Sequence, residues 1–205
     1  MEVIAEERWR DLRRSRLLEA AARVFAQVGY EAASVDDIAF EAGVGKPTVY
    51  RYFPGKEALF GAVFGQALDD LEARLDAALN EPLPFAQQLK ALIAEIVPTF
   101  RTHFASMRGL NEGETSKRRL FRQRRNRIEA RLCVVIEAGQ HSGVARSFDA
   151  AVAARFLIGM IWSGTNSELE NNEAVIEAVT DFALHGLGAV QDLEREPVLG
   201  RRALP

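Results

Sequence analysis

Apolar positions recur at intervals of three and four along most of the chain, the period of an α-helix with one buried face. Leu17, Ala21, Val24, Phe25 and Val28 form a first stripe, and Gly29 follows where a left-handed cap would close the helix. Ser34 stands directly before a much shorter stripe of Val35, Ile38, Ala39 and Ala42. Its hydroxyl suits the free N–H groups of a helix start, with Asp36 and Asp37 favoured by the dipole in the first turn. A third short helix is predicted over Lys46 to Phe53, with Pro47 early, where its missing N–H costs nothing.

Longer elements follow. Leu59, Phe60, Val63, Phe64, Leu68, Leu71, Leu75 and Leu79 predict a helix over Lys56 to Leu79, ended by Pro82 and Pro84. Phe85, Leu89, Leu92, Ile93, Ile96, Phe100 and Phe104 predict the next, with a kink at Pro98. Residues Arg108 to Ser116 are polar and hold two glycines, which reads as a loop. Phe121, Ile128, Leu132, Val135 and Gly139 give a further helix, closed by a turn at His141-Ser142-Gly143. The segments at about 149–165 and 171–191 are apolar on nearly every face, so each needs burial on two sides. No alternating β-branched run bounded by turns appears, and the expected fold class is all-α.

Composition narrows the function classes. Hydrophobic residues make up 48% and charged residues 27%, which suits a globular protein. The formal net charge is −3, so any contact with a polyanion must come from a local basic patch. One cysteine, Cys133, permits no internal disulfide and no thiolate zinc site, and it reads as a small buried hydrophobe. The three histidines lack metal-ligand spacing, so neither metal nor cofactor is expected. The charged N-terminal segment resembles no signal peptide, and the most apolar stretch, Ala150 to Trp162, is too short to span a bilayer. A cytoplasmic protein without a membrane partner is expected. No nucleophile–base pair or cofactor loop is visible, which argues against an enzyme. Gly43-Val44-Gly45-Lys46-Pro47-Thr48 is no phosphate loop, because Phe40 and Pro47 occupy its required glycine and hydroxyl positions.

The informative stretch is Ser34 to Lys56. Two helices too short to be stable alone meet at Ala42-Gly43-Val44, where Gly43 supplies the positive φ of a tight turn. Ala39 lets the second helix cross closely, while Val44 and Val49 hold it down. This is the logic of a helix-turn-helix, whose second helix enters the major groove. Lys46, Thr48, Tyr50, Arg51 and Tyr52 cluster on that helix as donors for phosphates and base edges. Phe53 instead belongs to the buried stripe. Lys56 lies within reach of a phosphate at the start of the next helix. Arg8, Arg10, Arg13, Arg14 and Arg16 add positive charge to the first helix.

The motifs A-x-x-V-F-A-Q-x-G-Y, S-V-D-D-I-A-x-x-A-G-V and K-P-T-V-Y-R-Y-F-x-x-K-E-A-L, running from Leu17 through Leu59, resemble the N-terminal domain of TetR-type transcriptional regulators. The resemblance implies a helix-turn-helix three-helix domain at 1–56, and a larger helical effector-binding and dimerisation domain at 57–205. It makes Ser34 both cap and phosphate contact, places Lys46, Pro47, Thr48, Tyr50, Arg51 and Tyr52 on the recognition helix, and sets Lys56 against the backbone. Arg51 is the candidate guanine reader. Gly45 stands where the family commonly has a polar residue. The implied function is a homodimeric repressor, bound to a palindromic double-stranded DNA operator and released by a small-molecule effector. The competing expectation is a helical ligand-binding or interaction module without DNA binding.

Beyond the motif the sequence says less. Phe100, His103, Phe104, Met107, Met160 and Trp162 are candidate effector-pocket residues, though each alone also suits a core. Lys117, Arg118, Arg119, Arg122, Arg124, Arg125, Arg127 and Arg131 form a basic run that reads as a solvated helix face, with an anionic effector as the alternative.

Overall fold

The structure, a computed structural model, describes residues 2–104, 115–167 and 171–188. Eight helices occur among them: α1 (Glu2–Ala32), α2 (Val35–Glu41), α3 (Lys46–Tyr52), α4 (Lys56–Asn80), α5 (Phe85–Phe104), α6 (Thr115–His141), α7 (Ala150–Thr165) and α8 (Asn172–Leu187). No strand is present among the described residues, so the fold is all-α, as the periodicity predicts. No described helix is long and apolar enough to cross a membrane. The described residues divide between two compact units, one drawn from 1–73 and 98–120, the other from 74–97 and 121–205.

The first unit buries the N-terminal stripe. Leu17, Ala20, Ala21, Val24 and Phe25 of α1 are sequestered, together with Ile38 and Ala39 of α2, Val49 of α3, Phe53, and Leu59, Phe60, Val63 and Phe64 of α4. Phe60 meets Phe25 edge-on at 5.1 Å and Tyr30 at 4.8 Å, the arrangement that aromatic quadrupoles favour. Two expectations for α1 change. Gly29 takes φ 77° and ψ 169°, but as a break inside the element, since one further turn continues to Ala32. Val28, expected on the buried stripe, is exposed.

The second unit is built on Leu75, Leu89, Leu92, Ile93 and Ile96, with Ile128, Leu132 and Ile136 of α6 and the inner faces of α7 and α8. Its loops are closed by side-chain amides. Gln88 Nε2 donates to the carbonyls of Ala78 and Leu79 at 2.9 and 3.2 Å, and Gln140 Nε2 to those of Arg146 and Phe148 at 3.1 and 2.9 Å. Asp149 and Asn171 cap α7 and α8. Gly139 leaves room for the ring of Phe85, which a Cβ there would meet at 2.5 Å. α5 continues as helix through Pro98. The polar segment expected as a loop lies outside the described residues up to 114, and Thr115 and Ser116 already belong to α6.

Part of the basic run is accounted for here. Arg131 grips Asp76 through Nε and Nη2, both at 2.7 Å, and holds that carboxyl below the usual carboxylate range by its hydrogen bond. Arg125 pairs with Glu129 at 3.1 Å, one helical turn on. The side chains of Lys117, Arg118 and Arg119 lie outside the described residues. Burial pushes the thiol of Cys133 up, with Glu137 and Glu129 adding to the effect, the opposite of an activated thiolate.

Candidate nucleic-acid interface

Seven residues cannot hold a helix in water, so α2 and α3 depend on their ends and on each other. At the start of α2, Ser34 Oγ accepts from the amide of Asp37 at 3.1 Å, and the Asp37 carboxylate accepts from the amide of Ser34 at 3.0 Å. This reciprocal capping box satisfies two orphan N–H groups. The Ser34 hydroxyl also donates to Asp37 Oδ2 at 2.6 Å. The phosphate contact implied for it would therefore have to displace a carboxylate.

The end of α2 is equally defined. Gly43 sits at φ 65°, its amide donates to the carbonyl of Phe40 at 3.0 Å, and the amide of Val44 donates to that of Ala39 at 2.9 Å. That pair of bonds is the Schellman arrangement, and it turns the chain directly into α3. Gly45, at the N-cap of α3, offers no side chain to its amides; Pro47, in the first turn, removes one of them. Val49 is buried beneath α3, and Arg23 of α1 pairs with Glu41 of α2 at 2.6 Å.

What remains outward on α3 is the expected set. Lys46, Pro47, Tyr50 and Arg51 are exposed, with Tyr50 at 47%, and Thr48 and Tyr52 are half-buried. Lys46 Nζ donates to Asp36 Oδ2 at 2.8 Å, and that hydrogen bond raises its pKa, so it stays cationic. The surface offers an ammonium, a hydroxyl, a phenol and a guanidinium within two helical turns, the donor types that phosphates and base edges accept.

Lys56 departs from expectation. Its Nζ donates to the carbonyls of Tyr30, Glu31 and Ala33 at 2.9, 3.2 and 3.0 Å and lies 4.5 Å from the centre of the Tyr30 ring. An ammonium has three donors, and all three are directed at the carbonyl end of α1, where the helix dipole is negative. The geometry makes Lys56 a clamp between α1 and α4, and a phosphate contact would cost it one of these bonds.

A second feature adjoins α3. Trp9, Arg10 and Arg13 of α1 and Arg51 and Tyr52 of α3 line a groove of about 650 Å³. The Arg51 guanidinium lies over the Tyr52 ring, 5.4 Å from its centre. The sequence shows the arginines of α1 as a cluster; their convergence with Arg51 appears only once α1 and α3 are packed. Arg14 faces elsewhere, 5.3 Å over the ring of Phe53.

The candidate effector residues are distributed as follows. Phe100 is buried in the first unit; Met160 and Trp162 are half-buried in the second. Met107 and the side chains of His103 and Phe104 lie outside the described residues. Met160 lines an apolar groove of about 750 Å³ on α7 and α8, with Val152, Phe156, Gly159 and Phe182. Phe156 and Phe182 are 69% and 68% exposed on that face. No group of acidic, histidine or cysteine side chains suited to a metal ion occurs among the described residues.

Comparison with known proteins agrees with this geometry. Residues 17–63 match the family model for bacterial regulatory proteins of the tetR family, and residues 82–165 match that for the tetracyclin repressor-like C-terminal domain. The HTH-type transcriptional regulator YhgD of Bacillus subtilis is 28% identical over 86% of this chain and 97% of its own length. The HTH-type transcriptional activator FasR of Mycolicibacterium smegmatis is 42% identical over 41% of this chain and 38% of its own. The HTH-type transcriptional repressor KstR of the same organism is 34% identical over 41% of each. A TetR/AcrR-family regulator from Thermobifida fusca has a similar structure, with TM-score 0.71 and 26% identity over 85% of this chain and 97% of that one. With both domain models in chain order and the helix-turn-helix built as described, this chain belongs to the TetR family, whose members are DNA-binding transcriptional regulators rather than enzymes.

Proposed function

We propose that the protein is a homodimeric, cytoplasmic repressor, which occupies a palindromic operator through α3 and leaves it when a small-molecule effector binds. The observation that carries this reading is the outward face of α3. Lys46, Tyr50 and Arg51 stand exposed over a buried Val49, on a helix held by a Schellman turn. Residues 1–56 serve as the DNA-binding domain and 57–205 as the effector-binding and dimerisation domain, with α4 running from one into the other. Within the first, Lys46, Pro47, Thr48, Tyr50 and Tyr52 face the duplex, while Ser34 acts chiefly through its cap.

Dimerisation is assigned to α7 and α8. Rings as exposed as Phe156 and Phe182, beside Val152 and an apolar groove, need a cover that a second copy supplies. Repression is the sign carried by KstR's name, whereas FasR is named an activator. An effector that fits one arrangement of the second domain would move α4, and with it the two recognition helices of a dimer. A gel shift on the DNA upstream of the protein's own gene tests the reading. A retarded complex that survives excess random duplex supports it, and equal competition by random duplex refutes it.

A further inference from the structure

Arg10, Arg13 and Arg51 converge on one groove with Trp9 and Tyr52, and none of the described residues lining it is acidic. Asp11, the acid nearest in sequence, lines a different groove with Arg14, Ser15 and Asp69. A groove lined by three arginines, with no acid among its described lining residues, favours an anionic occupant. Trp9 is 60% exposed, an apolar ring with one N–H donor set among these cations. Tyr52 carries Arg51 on its face and is half-buried. Guanidiniums, a phenol and an indole N–H are all donors to phosphate oxygens, and the indole face can lie against a deoxyribose.

We propose that this groove between α1 and the last turn of α3 takes a phosphodiester segment of the duplex flanking the bases that α3 reads. In that arrangement Arg51 is a phosphate ligand shared with Arg10 and Arg13, not the guanine reader that its place on the recognition helix suggests. The groove then adds affinity and salt dependence but no base preference, and it widens the footprint of each protomer. The inference rests on the DNA-binding reading above.

The test compares wild type, Arg10→Ala/Arg13→Ala and Arg51→Ala on the upstream duplex and on a random duplex of equal length, with salt varied from 50 to 200 mM. Each phosphate lost should flatten the slope of log K against log salt by about 0.9, so two grooves per dimer flatten it by about 1.8. The wild-type advantage should accordingly shrink about tenfold across that range, equally on both duplexes. Loss by Arg51→Ala confined to the upstream duplex would return Arg51 to base reading and overturn the assignment. An unchanged slope in the double variant overturns the groove itself, while wild type that binds neither duplex removes the DNA reading on which it rests. Trp9 gives an independent readout. In a Trp162→Phe background it is the sole tryptophan, and acrylamide quenching of its emission should fall when duplex is added. Quenching that is the same with and without bound duplex contradicts the proposal even if the arginine variants fail to fold.

Discussion

Lys56 shows how far a side chain's role depends on what is packed behind it. In the sequence it is a cation at the start of a helix beside a DNA-reading helix, which suggests a phosphate. In the structure the end of α1 folds back against α4, and three carbonyls claim the ammonium. Lys56→Met keeps the stem and removes the donors, so it should lower stability by about 1–3 kcal/mol in urea titration. The salt slope of DNA binding should stay as in wild type. A flattened slope with unchanged stability would make Lys56 a phosphate ligand after all. Ser34 is the converse case, since its cap is legible from S-V-D-D alone. Ser34→Ala should cost about 1 kcal/mol by the same measurement. Asp37→Ala removes the reciprocal acceptor and should lower stability by a similar amount, whereas Asp37→Asn, whose side-chain oxygen can still accept from the Ser34 amide, should cost less.

The helices are the features most legible in the sequence. Periods of three and four located every long helix, and the proline pair and glycine turns marked most of the ends, because those signals are local. Long-range relations of charged side chains are not legible: nothing in the spacing says that Arg131 reaches Asp76, fifty-five residues away, or that Arg51 lines one groove with Arg10 and Arg13. The helix-turn-helix rests on Gly43, whose φ of 65° costs an L-residue about 1–2 kcal/mol, so Gly43→Ala should loosen α3 and lower the thermal midpoint. Gly164 acts by a different route. Two glycines on α7, Gly159 and Gly164, are each small enough for a second helix to approach closely, but a Cβ at Gly164 would meet Val175 Cγ1 of the same chain at 2.8 Å. Gly164→Ala should therefore cost about 1–3 kcal/mol by overpacking α7 against α8, read by urea titration of the protomer. Gly159, with nothing within 4 Å, lines the outer groove instead.

For the whole molecule, binding to a palindromic operator requires two copies. A stable interface over Val152, Phe156 and Phe182 should bury on the order of 2,000 Å² in total, and Phe156→Glu/Phe182→Glu should convert a dimer to a monomer by light scattering. The central claim is that such a dimer reads two half-sites through α3, and hydroxyl-radical footprinting of the upstream DNA tests it most directly. Wild type should protect two segments on one face of the duplex, centred about 34–36 Å apart or a multiple of it, and Lys46→Ala/Tyr50→Ala should abolish both together. A single protected segment, or a footprint that the α3 variant leaves intact, would contradict the account.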